Sequence, residues 1–323
     1  MKGIFLSIIS PVIFLFIFPS QSCNENVNAN SEINSGTSNS KTGNIETLMP
    51  GDQFKNYWYA GKAEICSYTL EQARYGEIHA GTAVTIFVTE DFSKSRQVKL
   101  DQPESSGSDR LPVLKLNLVK KFNTGIYPYS VMLSVFSPVD ILSFPHAVKE
   151  CASVQEWCGM TYSQLNSRNN KNEVKGFSYF EDEGDDHTSF PLCWLEDEIW
   201  NLIRLAPEKL PSGDQTVLPG LLYTRLTHIP MQPQTARFSL KEENEEMSYT
   251  MDVASQKHRL IIKFEKDFPY KITGWEETFP GFDGKLLTTT AKLTHTIMTD
   301  YWLHHNDADR VMREELGLPK DSQ

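Results

Sequence analysis

From about Phe54 onward, apolar and polar residues alternate along most of the chain. Leu114, Leu116 and Leu118 are separated by Lys115 and Asn117, and Tyr127, Tyr129, Val131, Leu133 and Val135 share one parity. So do Met247, Tyr249, Met251 and Val253, then Leu260, Ile262 and Phe264. Late in the chain Leu287, Ala291, Leu293 and Ile297 fall on one face, and Thr288, Thr290, Lys292, Thr294 and Thr296 on the other. A period of two predicts strands that are apolar on one side and wet on the other, the habit of antiparallel sheets. Residues 154–165 also read as strand, because Gly159, Thr161 and Tyr162 in their middle disfavour a helix. Polar or Gly/Pro-rich breaks at 102–109, 167–172, 181–186 and 280–284 predict the turns.

A helical period surfaces in two places. Residues 195–205 put Leu195, Ile199, Leu202 and Ile203 on one side, with acids early and Arg204 late, as a helix dipole favours. Residues 306–316 predict a second helix, capped by Asn306, with Asp307 and Asp309 in its first turn and stopped by Gly317 and Pro319. The expected fold is mainly β (a β-rich α+β): one large twisted antiparallel sheet or half-barrel with one or two short helices. The domain spans 51–305, and a C-terminal helix or tail covers 306–323.

The first fifty residues follow another rule. Lys2 precedes the nearly unbroken apolar stretch 4–18, and Pro19, Ser20, Gln21 and Ser22 lead into Cys23. A charged start followed by an apolar run of this length reads as a signal peptide over 1–22 rather than a spanning helix, which needs roughly 20 apolar residues. The Cys23 junction resembles a bacterial lipoprotein signal, in which the cysteine is lipidated, although Ser20 stands where an aliphatic residue is usual. The alternative is an ordinary secreted protein cleaved near Ser22. Residues 24–43 are rich in Asn and Ser and carry no hydrophobic period, so 23–50 is expected to be a disordered tether.

Composition narrows the partners. With 31 Lys plus Arg against 42 Asp plus Glu the formal charge is -11, which argues against nucleic acid as a partner. There are 5 cysteines, and without Cys23 the even remainder allows bridges or free thiols, free thiols being preferred because Cys66, Cys151 and Cys193 sit in apolar or alternating stretches.

Residues 68–88 (YTLEQARYGEIHAGTAVTIFV) place Tyr75, Gly76, Ile78, Ala80, Gly81 and Ala83 in a strand–turn–strand pattern. This resembles the opening of an uncharacterised bacterial envelope lipoprotein family with a periplasmic half-barrel like that of the lipoprotein carrier LolA. Residues 197–215 (DEIWNLIRLAPEKLPSGDQ) resemble that family's helix and bend, and 268–279 (FPYKITGWEETF) its late strand. The resemblance implies a twisted antiparallel half-barrel with an apolar concave face and no catalytic residue. Some sequences of this layout carry the label "septum formation inhibitor Maf". True Maf proteins are cytoplasmic nucleotide pyrophosphatases with a Ser-x-Arg-Arg signature, and this chain has no Arg-Arg pair, so the label is a misnomer here.

Candidate chemistry is sparse. His304 and His305 with Asp307 and Asp309 form the most ligand-like run, but adjacent histidines diverge on a helix or a strand, and a solvated edge with a helix cap explains them. The acidic run 181–186 with His187 lacks the order of a calcium loop. Glu276 and Glu277 face opposite ways on a strand, and His79 has no readable partner. No nucleophile-elbow, phosphate-loop or dinucleotide motif occurs. No catalytic residue, metal or cofactor is therefore assigned. The abundant aromatics suggest instead a cleft for a hydrophobic, lipid-like ligand, with Trp157, Tyr162 and Trp275 as candidate lining. The expected protein is a non-enzymatic lipoprotein of the bacterial cell envelope, facing the periplasm or the outside. It is held to the membrane by its N-terminal lipid and binds such a ligand or an envelope-assembly protein. The alternative is an envelope hydrolase with a site built from scattered residues, with a metal near His304, or more remotely a Maf-type pyrophosphatase.

Overall fold

The computed structural model describes residues 51–319, all within one compact unit. The expected signal peptide, Cys23 and the tether lie outside the described residues, as do the last four residues of the tail. A short helix α1 (Asp52–Trp58) precedes a meander of eight strands: β1 (Ala63–Arg74), β2 (Glu77–Ser93), β3 (Arg110–Thr124), β4 (Tyr127–Pro138), β5 (Lys149–Glu156), β6 (Gly159–Arg168), β7 (Lys171–Ser178) and β8 (Asp186–Pro191). The chain then forms a two-residue strand β9 (Trp194–Leu195), helix α2 (Ile199–Leu205), strand β10 (Gly213–Leu218) and helix α3 (Leu221–Thr227). A second meander follows through β11 (Gln234–Glu243), β12 (Glu246–Val253), β13 (His258–Glu265), β14 (Ile272–Pro280) and β15 (Leu286–Thr299). Helix α4 (Val311–Glu315) is the last element among the described residues.

All fifteen strands make one sheet, in the order β8 back to β1, then β15 back to β9. Every neighbouring pair is antiparallel except the short β9–β10 pair. The expected β-rich fold is what forms. Tyr75 and Gly76, both at positive φ, make the tight turn between β1 and β2, which suits the twist of a hairpin.

The sheet is strongly curled. A flat sheet of 15 strands would hold its edges roughly 67 Å apart at about 4.8 Å per neighbour. Yet the edge strand β8 ends at Pro191 and the opposite edge β9 begins at Trp194, three Cα steps or about 11 Å away at most. The amide of Leu192 donates to Asn170 O at 3.2 Å, so this link stays against the turn between β6 and β7. The result is a barrel-like sheet whose edges come together at Leu192 and Cys193.

The concave side is filled rather than open. Ile199, Trp200, Asn201, Leu202, Ile203 and Arg204 of α2 are all buried, as are most residues of α3. They share one core with Tyr68, Phe87, Leu116, Leu133, Tyr249 and Trp275 from the strands. Asn201 Nδ2 donates to the carbonyls of Leu114 and Val135 at 3.0 and 3.3 Å, fixing α2 to β3 and β4. Arg204 makes two hydrogen bonds to Glu64, at 2.6 and 2.8 Å, between the rings of Trp58 and Phe87.

Two sequence expectations change here. The acids 196–198 do not open the helix, which begins at Ile199. Glu198 accepts the amides of Leu195 and Ala147, while Glu196 and Asp197 accept those of Gly220 and Leu221 at the start of α3. Leu293 and Ile297 do not share a face. Ser67 pairs with His295 but Tyr68 with Leu293, so Thr294 is an extra residue in β15 and the parity flips across it. Leu293 packs on the interior core and Ile297 joins Ala63, Ile65, Val88 and Leu316 outside. That outer cluster is where the C-terminal segment docks, after a 3-10 turn (Asp307–Arg310) that Asn306 caps as expected, with Asp309 bonding back to the Asn306 amide.

Candidate functional site

Alternate turns of a meander fall at the same end of a sheet. One end carries the turns β1/β2, β3/β4, β5/β6, β7/β8 and β14/β15, which are neighbours around the barrel. These tips hold ten of the eighteen large exposed hydrophobic side chains among the described residues, including Ile126 (73%), Trp157 (64%), Tyr179 (70%) and Phe282 (70%). They touch in sequence around the rim. Trp157 lies 5.7 Å from Tyr127, Tyr75 stacks on Phe282 at 6.3 Å, and Tyr75 Oη meets Tyr129 Oη at 3.0 Å. Toward the barrel axis Phe180 and Phe282 flank His228, and the Arg225 guanidinium covers Phe180. Glu183, from the acidic turn before β8, pairs with both Arg225 and His228.

The aromatics expected to line a cleft separate. Trp157 stands on the rim. Tyr162 lies on the flank of β6, stacked on Phe177 and donating to Gln164 Oε1 at 2.9 Å. Trp275 is 1% exposed, sealed beneath Trp200 and Tyr68 in the core. Trp157 and Tyr162 are accessible from outside, whereas Trp275 borders only the small cavity beneath α3.

Beneath α3, at the same end, lies a cluster of buried ionisable groups. Glu196, His258 and Glu277 each bring one donor atom within 4.8 Å of the others. His258 Nε2 stands 3.6 Å from Glu196 Oε1 and 3.6 Å from Glu277 Oε1, and neither ring nitrogen has a hydrogen-bond partner. Tyr223 stacks flat on the imidazole at 3.5 Å. Lys120 Nζ is 4.0 Å from Glu277 Oε2. Burial raises the Glu277 carboxyl, but His258 and Lys120 more than offset it and hold it below the usual range. Burial also raises Glu196, and Glu277 adds to that, so the nearby His258 only partly offsets the shift. Asp197 is pushed up to about 7 by burial and by Glu196. On His258 burial favours the neutral ring, yet Glu196 and Glu277 raise it overall.

The other singled-out residues stay apart. Glu276 faces outward to Lys263 at 2.7 Å, opposite Glu277 as strand geometry requires. His304 meets Asp300 and Asp309 at 3.1 and 3.4 Å near the surface, while Asp307 and His305 are exposed. His79 contacts only the carbonyl of Arg74 through its ring. The four described cysteines are free thiols. Sequence reasoning missed Glu196 and His258. In the sequence Glu196 looks like a helix-dipole acid, and His258 sits alone at the start of a strand with no local signal.

No family model matches the chain, and no curated protein matches it. It is similar to a crystal structure described as a β-barrel-like protein of domain of unknown function DUF1849 from Brucella abortus. The identity is 10%, the match covers 73% of this chain and 97% of that chain, and the TM-score is 0.41.

Proposed function

We propose that the protein is an exported, lipid-anchored and non-enzymatic component of the bacterial envelope that docks a protein partner on its aromatic rim. The observation that carries this reading is the concentration of exposed Ile, Trp, Tyr and Phe on neighbouring hairpin tips at one end. Contiguous apolar surface of this kind marks an interaction site. The rim is also acidic, with Glu156, Glu181, Asp182 and Asp185 in its turns, which disfavours an anionic bilayer and favours a partner with basic groups around an apolar patch. A lipid-like ligand within the sheet is less well supported, because α2 and α3 fill the concave face. So is a hydrolase, because the Glu196 cluster is closed beneath α3.

The test is recovery of the full-length protein from its own membranes in mild detergent, with and without Trp157→Ser and Phe282→Ser together. A specific protein retained by the wild type and lost from the double variant supports the reading; equal recovery by both forms overturns it. If a Cys23→Ala form instead binds anionic vesicles in a Trp157-dependent way, the occupant is lipid and not protein. The anchor is checked separately: labelled fatty acid should enter the wild type and not Cys23→Ala.

A further inference from the structure

We propose that Glu196, His258 and Glu277 form a binding site for a divalent transition-metal cation, with Zn²⁺ as the representative ion. The proposal is independent of the rim. Its starting point is His258, which is 0% exposed and has both ring nitrogens unpartnered, an arrangement rare for a buried polar group. Nε2 points between two carboxylate oxygens at 3.6 Å each, beyond hydrogen-bond reach. Ligands held tetrahedrally at about 2.0–2.2 Å from zinc lie roughly 3.3–3.6 Å from one another, so these contacts have the length of edges of a coordination polyhedron.

The outer oxygens are already held. Glu196 Oε2 accepts the Gly220 amide at 2.8 Å and Glu277 Oε2 faces Lys120 Nζ at 4.0 Å, which leaves the two Oε1 atoms free to converge with Nε2. Such outer partners orient metal-binding carboxylates. The flat stack of Tyr223 fixes the plane of the imidazole. Glu196, Glu277, Lys120 and Tyr223 border a cavity of about 30 Å³, which holds a water-sized group beside the two carboxylates but is not lined by His258. One imidazole with two carboxylates suits zinc or manganese rather than a soft thiolate-seeking ion. Leu226, Thr227 and Phe279 border both this cavity and the neighbouring pocket beside Tyr75 and Phe282, so these three side chains stand between the cluster and the rim. Without metal the same groups would form a compensated set, His258 and Lys120 as cations against Glu196 and Glu277, and that is the competing arrangement.

The experiment strips the full-length protein with chelator and titrates it with Zn²⁺, reading bound metal by native mass spectrometry and stability by thermal unfolding. One Zn²⁺ per chain and a rise in Tm are expected in the wild type and in a His304→Ala control. Glu196→Gln and Glu277→Gln should each weaken binding by about 100-fold. Should either variant fail to fold, Co²⁺ loading of the wild type decides the matter. Intense visible bands of four-coordinate cobalt with nitrogen and oxygen ligands support the site, and the weak spectrum of hydrated cobalt overturns it. Absence of stoichiometric zinc, or undiminished binding in both variants, also overturns the proposal.

Discussion

Two groups of buried charges lie at opposite ends of the barrel interior, and they are satisfied to different degrees. At the end near α1, Glu64 and Arg204 are each 0% exposed, joined by two hydrogen bonds and flanked by rings, with Arg204 Nε donating to Pro269 O at 2.9 Å and Tyr57 Oη to Glu64. At the rim end, the His258 ring has no hydrogen bond and Glu196 and Glu277 approach it only at 3.6 Å. Burial cost is similar in kind for both groups, but only the first joins its opposite charges by direct hydrogen bonds. The Glu64–Arg204 pair acts as a fastener for the helix that fills the barrel. The rim-end group is arranged as if another atom completed it.

Breaking the fastener should have the largest effect. Glu64→Ala leaves Arg204 buried without its counter-charge and is expected to cost about 3–5 kcal/mol in urea unfolding. Replacing both partners with Leu and Met should recover most of that loss. If Glu64→Ala costs no more than a surface substitution, the contrast between the two ends collapses.

The pH dependence of stability should differ in sign between Glu64 and another interior acid, Glu150. Burial raises the Glu64 carboxyl, but Arg204 overrides it and holds it below the usual range. Its stabilisation is therefore complete above its unfolded value of about 4.3 and is lost as pH falls through the folded value. Glu150 on β5 is held well above the usual range by burial and then by Asp197 and Glu198. It favours the folded state while protonated, so stability falls as pH rises from about 4.3 toward its folded value. Glu150→Gln should flatten that decline without altering the acid limb, as read from unfolding midpoints across pH. A decline that persists unchanged in Glu150→Gln would assign it to other groups.

At the rim end, smaller changes are expected in metal-free protein. Glu196→Gln removes a buried charge while keeping an acceptor for the Gly220 amide, so stability should hold or rise by up to about 1 kcal/mol. A loss of several kcal/mol in denaturant melts would make this cluster a second fastener. The smallest effect is reserved for the outside: Trp157→Ser should shift stability by no more than about 0.5 kcal/mol while weakening retention of the partner. A Trp157→Ser protein that unfolds early would show the rim to be structural.

What the sequence by itself determined was the local alternation. The parity of Leu114, Leu116 and Leu118, of Tyr249 and Met251, and of Leu260 and Ile262 is enough to specify strands and their buried faces, because side chains on a pleated strand must alternate. The Tyr75–Gly76 turn and the Asn306 cap were legible for the same reason: each depends on a few adjacent residues. The tertiary structure decided everything that needed a partner. One extra residue at Thr294 sent Ile297 to the other face of the sheet, and acids written as the start of α2 became acceptors for α3. Arg204 found Glu64, 140 positions away, and Glu196, His258 and Glu277 met only because β9, β13 and β14 converge under α3. Likewise Trp157 and Phe282 belong to one rim only because the two meanders pair through β1 and β15. Periodicity encodes which way a side chain points, and only the curling of the sheet determines what it meets there.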